Sequence, residues 1–335
     1  MLLDVAIFLT GLVLLYFGAE ALVGGSSKIA LKFGVRPLVV GLTVVAFGTS
    51  SPELVVCLTA AIEHTSATDA ISIGNIIGSN IANIALILGV ASLIKPIQVT
   101  RQAVRREYPL MLAASVLLVV LVVFDVHPPR ITRLDGGLLF GGMLAYLAYT
   151  YYASVFSDSD ADDQEADPEP APAVVDEVDP DEEEAETSML IPALKIGFGI
   201  AGLAVGAYWM VESAVDIATV FGVPEVVIGI SMVALGTSLP ELATSVIAVM
   251  REESDISVGN VIGSNIFNIL LVLGLVALIA PIAVDPDILK FDIWMMLGVA
   301  IGIWPILRSG RRVDRMEGAF MLIVYLGYIV LLFTR

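Results

Sequence analysis

GLTVVAFGTSSPEL at residues 41–54 returns as GISMVALGTSLPEL at residues 229–242. Each copy sets a glutamate, Glu53 or Glu241, inside an apolar run directly after a proline. An ionised carboxylate within a lipid-spanning helix is costly unless something neutralises it. Two such groups in repeated positions predict one two-sided cation site.

The surrounding chain is built for lipid. Of its 335 residues, 57% are hydrophobic, and the mean hydropathy is +0.90. Ten apolar runs are long enough to cross a bilayer as helix: about 3–25, 37–61, 70–94, 108–125, 136–156, 189–212, 225–250, 257–281, 291–307 and 317–334. The fold predicted is an all-α polytopic membrane protein of ten transmembrane helices in two inverted five-helix repeats. The start, Met1-Leu2-Leu3-Asp4, lacks the basic region of a signal peptide, so the first run is expected to remain as a helix. Lys and Arg divide thirteen to four between the two sets of loops, which puts both termini outside and the residue 157–188 segment in the cytoplasm. The single cysteine, Cys57, excludes an internal disulfide framework and is expected to be a small core residue.

Inversion follows from counting. Residues 33–54 align with 221–242 at 13 of 22 identities, and residues 71–97 with 256–282 at 18 of 27. Each unit holds five spans, so the second enters the membrane upside down, a common construction among secondary transporters with the substrate at the midplane. The units are residues 1–156 and 189–335. Between them, residues 157–188 carry fifteen Asp or Glu, four prolines and no Lys or Arg. Such a segment cannot bury enough apolar surface to fold alone and is expected to be a disordered acidic linker. It also accounts for most of the net charge of −18: without it, 20 acids face 17 bases.

In the second span, Ala46, Thr49, Ser50 and Glu53 have the i, i+3, i+4, i+7 spacing of one helix face. Pro52 cannot donate a backbone hydrogen bond and frees the Gly48 carbonyl. Ala234, Thr237, Ser238 and Glu241 repeat the face, whereas Leu239 stands where Ser51 does, which leaves Ser51 outside a symmetric site. GNIIGSNIANI (74–84) and GNVIGSNIFNI (259–269) add a second duplicated pair of helices. Ser79 with Asn83, and Ser264 with Asn268, lie four apart and face together. Gly74, Gly78, Gly259 and Gly263 permit close helix contact. Asn83 and Asn268 are expected as ligands. Asn75, Asn80, Asn260 and Asn265 are expected to hydrogen-bond between helices or to broken backbone. The donor set is all oxygen, without Cys or His, which disfavours zinc or copper. Two glutamates balance the charge of Ca2+, which takes six to eight oxygens in flexible geometry, and Na+ or H+ would compete for the same carboxylates.

At these residues the chain resembles the calcium/cation antiporter superfamily, and prokaryotic sodium/calcium exchangers in particular. The two copies of G-T-S-x-P-E and of G-N-x-x-G-S-N-I-x-N-I are similar to that superfamily's paired alpha repeats. The resemblance implies an ion-binding core of the second, third, seventh and eighth spans, with the first and sixth sliding across it. It carries ligand roles to Thr49, Ser50, Glu53, Ser79, Asn83, Thr237, Ser238, Glu241 and Ser264, and to the carbonyls of Ala46 and Ala234. Sodium/calcium members often have aspartate where this chain has Asn268, which leaves two ionisable acids, not three, and raises the prospect of H+ coupling. The function implied is exchange of Ca2+ for Na+ (or H+) by alternating access, in the cell membrane, without a cofactor and with no nucleic-acid or obligate protein partner.

Two other classes fit less well. A channel would use a ring of acids, and two acids on inverted repeats make no symmetric ring. An intramembrane enzyme would want a nucleophile–base pair, and His64 and His127 both fall in predicted outer loops. Glu20 and Glu212 do not occupy equivalent repeat positions and are expected near the interface.

Overall fold

A computed structural model of the chain describes residues 2–63, 66–123, 129–156, 189–220, 236–285 and 288–334. Within them, eleven helical segments run in chain order. These are α1 (Leu2–Phe33), α2 (Pro37–Thr49), α3 (Ser51–Glu63), α4 (66–94), α5 (Ala103–Val123), α6 (Arg133–Phe156), α7 (Leu190–Val220), α8 (Leu239–Met250), α9 (Ser254–Ile279), α10 (Ile288–Arg308) and α11 (Arg315–Thr334). Seven helices are long and apolar enough to cross a membrane, or eight if α2 and α3, bent by 44° at their junction, form one broken span. The chain is a mostly helical, multi-pass membrane protein. The predicted acidic linker, His64, His127, Ala234 and the first part of the 225–250 span lie outside the described residues.

Burial sorts the helices into two classes. The apolar windows of α4 and α9 are each 78% buried, whereas those of α1 and α7 are each 22% buried. A helix apolar on every side but carrying serine and asparagine belongs inside protein, where the polar groups find partners. Small residues let these inner helices meet. A methyl group on Gly259 would lie 2.7 Å from the Leu38 carbonyl oxygen, and one on Gly41 would lie 2.8 Å from that of Ile256, so α2 and α9 touch backbone to backbone.

The outer pair is sealed in the same manner. A methyl on Gly11 would lie 2.7 Å from Gly206 O, one on Gly199 2.8 Å from Gly18 O, and one on Gly25 2.9 Å from Pro192 O. Those partners step seven residues forward along α1 and seven backward along α7, so the helices run antiparallel in contact along most of their length.

Two short antiparallel pairings clasp the ends of the molecule. β1 (Ile97–Gln98) pairs with β4 (Arg312–Val313), and β2 (Arg130–Ile131) pairs with β3 (Ile282–Ala283). Each joins an N-terminal strand to a C-terminal one. Wide π-type turns interrupt α4 at Ala82–Ile87 and α9 at Phe267–Leu273, and open α5 at Ala103–Glu107 and α10 at Ile288–Asp292. Both pairs recur at the 185-residue offset of the sequence repeat. Met111 and Met296 share that offset, and they contact Asn265 Nδ2 at 3.5 Å and Asn80 Nδ2 at 3.8 Å respectively.

Candidate ion-binding site

The helix break comes from Pro52. It offers no N–H, and its ring crowds the carbonyl four residues back. The chain gives way at Ser50 (φ −84°, ψ 5°), and Ser238, ahead of Pro240, has nearly the same conformation (φ −86°, ψ 0°). The Gly48 carbonyl freed by Pro52 is not left open: Ser51 Oγ donates to it at 2.5 Å. The expectation of a loosened carbonyl there is thus corrected, and Ser51 has a local role that its replacement by Leu239 in the other copy made invisible. The Ala46 carbonyl accepts from Ser50 N at 3.0 Å and from Thr49 Oγ1 at 3.3 Å.

Each break aims a glutamate inward, and Glu53 and Glu241 are fully buried. Around them the hydroxyls and amides repeat in mirror fashion. Thr49 Oγ1 donates to Asn260 Oδ1 at 3.0 Å, and Thr237 Oγ1 donates to Asn75 Oδ1 at 3.1 Å. Thr49 and Ser264 hydroxyls stand 3.4 Å apart, as do those of Thr237 and Ser79. Ser79 Oγ donates to Glu53 Oε1 at 3.4 Å, and Ser264 Oγ to Glu241 Oε1 at 3.5 Å. Ser50 Oγ, one turn before Glu53, donates across to Glu241 Oε1 at 3.0 Å. Both carboxylates therefore belong to a single polar cluster. Ser238 is also buried.

Buried side-chain atoms without a hydrogen-bond partner include Glu53 Oε2, Glu241 Oε2, Asn268 Oδ1 and both amide atoms of Asn83. Neither glutamate forms an ion pair with Lys or Arg among the described residues. Buried acceptors in native proteins are almost always satisfied, and a buried carboxylate facing acceptors and hydroxyls calls for a cation or a proton. Asn268 Nδ2 donates to Asn80 Oδ1 at 3.1 Å, tying one predicted ligand to a predicted interhelical group. Of the twelve predicted site residues, all but Ala234 are described. Direct hydrogen bonds gather them into two groups, Glu53 with Ser79 and Thr237, and Glu241 with Ser50, Ser264, Thr49 and, through Thr49, Ala46.

Asn75 and Asn260, expected as interhelical hydrogen-bonding groups, form an outer ring. Asn75 and Asn260 hold the two threonines, and Asn260 Nδ2 also reaches Glu241 O at 3.3 Å and Ser245 Oγ at 3.0 Å. Cys57 is buried beside Asn75, whose Nδ2 lies 3.8 Å from its sulfur. Glu107, just ahead of the predicted 108–125 span, is also buried; it accepts from Gln102 Nε2 at 3.2 Å and lies 3.6 Å from Arg106 Nε. Glu20 is half-exposed and paired with Arg251 at 2.6 Å. Glu212 accepts from Tyr208 Oη at 3.4 Å.

The family profile described as sodium/calcium exchanger protein matches residues 3–152 and 192–334. The chain belongs to this family. CaxA of Alkalimonas amylolytica is 36% identical over 341 residues, spanning 100% of both chains. The sodium/calcium exchanger MaX1 of Methanosarcina acetivorans is 33% identical, with 98% of this chain and 97% of that one aligned. A solved structure of the sodium–calcium exchanger NCX_Mj, soaked with 10 mM Na+ and zero Ca2+, matches with a TM-score of 0.77 at 29% identity, covering 98% of each chain. Sodium/calcium exchangers are membrane transporters, not enzymes.

Proposed function

We propose that this exchanger-family chain is a secondary antiporter that moves Ca2+ against Na+ by alternating access, with Glu53 and Glu241 as the central ligands. The observation that carries the reading is the pair of buried glutamates, each with an unsatisfied oxygen, inside mirrored hydroxyl rings and without a basic partner among the described residues. Thr49, Ser50, Ser79, Asn83, Thr237, Ser238, Ser264 and Asn268, with the carbonyls of Ala46 and Ala234, complete the proposed ligand set. Ala46 would serve once the Thr49 hydroxyl turns away from its carbonyl.

The fold proposed to carry this activity has ten transmembrane helices in two inverted five-helix units, residues 1–156 and 189–335, joined by an acidic cytoplasmic linker at 157–188. Both termini lie outside. The 185-residue recurrence of the wide turns and the crossed strand clasps support the inversion. The thin, lipid-facing α1–α7 pair is the element that slides across the core.

Coupling follows from charge. Two carboxylates neutralise one Ca2+, and bare carboxylates oppose any passage through the lipid-facing intermediate. Reorientation therefore needs Ca2+ or its competitors aboard, and exchange becomes obligatory. A second reading, H+ as the counter-ion, rests on Asn268: it supplies an amide where a third acid would add charge for Na+.

The test is Ca2+ uptake into proteoliposomes under an imposed Na+ gradient, then under an H+ gradient. Glu53→Gln and Glu241→Gln should each abolish uptake in a folded protein. Wild-type flux in either variant would refute the assignment. Uptake driven only by the H+ gradient would select the second reading.

A further inference from the structure

A pocket of about 640 Å3 opens where α5 begins and α10 ends, lined by Arg101, Arg105, Trp304, Arg308, Ser309 and Arg311. No carboxylate stands among its lining residues. Glu107, two residues beyond Arg105, is buried and engaged with Arg106 and Gln102. We infer that this pocket is a binding site for the phosphate of an anionic phospholipid headgroup.

Position makes the case for lipid. Ala103 and Arg308 are the ends of two candidate membrane spans, so the arginines sit at the level where helices leave the hydrocarbon. Trp304 stands one turn deeper, in the place that amphipathic aromatic rings take at a membrane interface. A headgroup entering from the bilayer would meet guanidinium groups at its phosphate and the indole along its glycerol and upper acyl carbons. Basic pockets between transmembrane helices on the cytoplasmic side recognise anionic headgroups in this manner, and arginine suits phosphate through its planar fork of donors. The volume is within the range of small-molecule sites.

Two further observations separate this pocket from a general excess of positive charge. Arg311 adopts a left-handed backbone (φ 51°), which a non-glycine residue seldom does. Strain of this kind persists where surrounding structure holds a residue to a task. The pocket is also one-sided. At the 185-residue offset, Arg101 corresponds to Pro286, and residues 123–129, the counterpart of the α10 end, read VFDVHPP with no arginine. Of the four arginines, only Arg105 has a basic counterpart, Lys290. Duplication therefore did not supply the cluster.

The experiment uses the purified full-length chain in detergent, with phosphatidylglycerol, phosphatidylcholine or inorganic phosphate added, read by native mass spectrometry and thermal unfolding. Wild type should retain phosphatidylglycerol over phosphatidylcholine. The double variant Arg105→Gln/Arg308→Gln should bind it at least about tenfold more weakly, while Arg130→Gln, beyond the opposite end of α5, should bind as wild type. Thermal protection by inorganic phosphate equal to that by phosphatidylglycerol, and lost in the double variant, would support the phosphate site but name the free ion as its source. Undiminished phosphatidylglycerol binding by the double variant would overturn the proposal. Should that variant fail to fold, absence of any preference for phosphatidylglycerol in the wild type would overturn it equally.

Discussion

Replacing Gly263 by alanine tests whether the site depends on the closeness of α2 and α9. The new methyl would lie 2.6 Å from Ala46 Cβ and 2.7 Å from Leu42 O. Carbon atoms settle at about 3.5–4.0 Å, so one helix must retreat by about 1 Å. Overpacking of this kind costs roughly 1–3 kcal/mol. The retreat would stretch the Thr49–Asn260 hydrogen bond from 3.0 Å and the Thr49–Ser264 contact from 3.4 Å. Both would end near or beyond the limit of a useful hydrogen bond, about 3.5 Å. A displacement of about 1 Å at a positioned group can cost on the order of a hundredfold in function. Gly263→Ala is therefore expected to lower the thermal midpoint and to weaken Ca2+ uptake in proteoliposomes by ten- to a hundredfold, on the order set by that displacement. Gly302→Ala is the control, since a methyl there meets nothing within 4 Å. Wild-type uptake and stability in Gly263→Ala would refute the argument that backbone contact positions Thr49 and Ala46.

Arg251→Gln removes the exposed link between α1 and the α8–α9 turn; the thermal midpoint should barely move, since such pairs contribute about 0–1 kcal/mol, while turnover changes severalfold. Unchanged turnover would uncouple this link from helix movement. Cys57, fully buried, should resist maleimide in native membranes and react once the protein is denatured; rapid native labelling would contradict its burial. The Lys95 ammonium, 2.6 Å from Glu252, holds that carboxyl below the usual carboxylate range. Its stabilisation is present above the unfolded carboxyl value and lost as pH falls through the lower folded one. Thermal midpoints of wild type and Lys95→Gln should therefore differ slightly at neutral pH and converge in acid; a gap that widens in acid would reverse the sign.

Glutamates 53 and 241 were legible because nothing about hydrophobicity explains a repeated Pro-Glu inside an apolar run. Their immediate hydroxyls were legible for the same reason, through helical spacing. The outer ring was legible only in part, since Asn75 and Asn260 read as interhelical hydrogen-bonding groups without named partners. Asparagines recur throughout the two duplicated motifs, and which of them meets Thr49 or Thr237 depends on how α4 and α9 cross the broken helices. Ser51 illustrates another limit: breaking the repeat removed it from a symmetric site, but only coordinates show its hydroxyl on the Gly48 carbonyl. The wide turns leave no trace in hydropathy, because one extra residue per turn does not alter apolar content. Glu107 is hidden for the same reason: it stands beside Arg105 and Arg106, outside the predicted 108–125 span, yet a wide turn folds it inside. The seven-residue spacing of Gly11, Gly18 and Gly25 is visible in the chain, but its partner helix is not.

That spacing has a mechanical result. Helices meeting backbone to backbone at every second turn have no room to shear past each other without collision, so α1 and α7 respond to a push at one end as a single beam. In the proposed transport cycle such a beam would uncover one mouth only by drawing cover over the other, and its stiffness would suppress leakage.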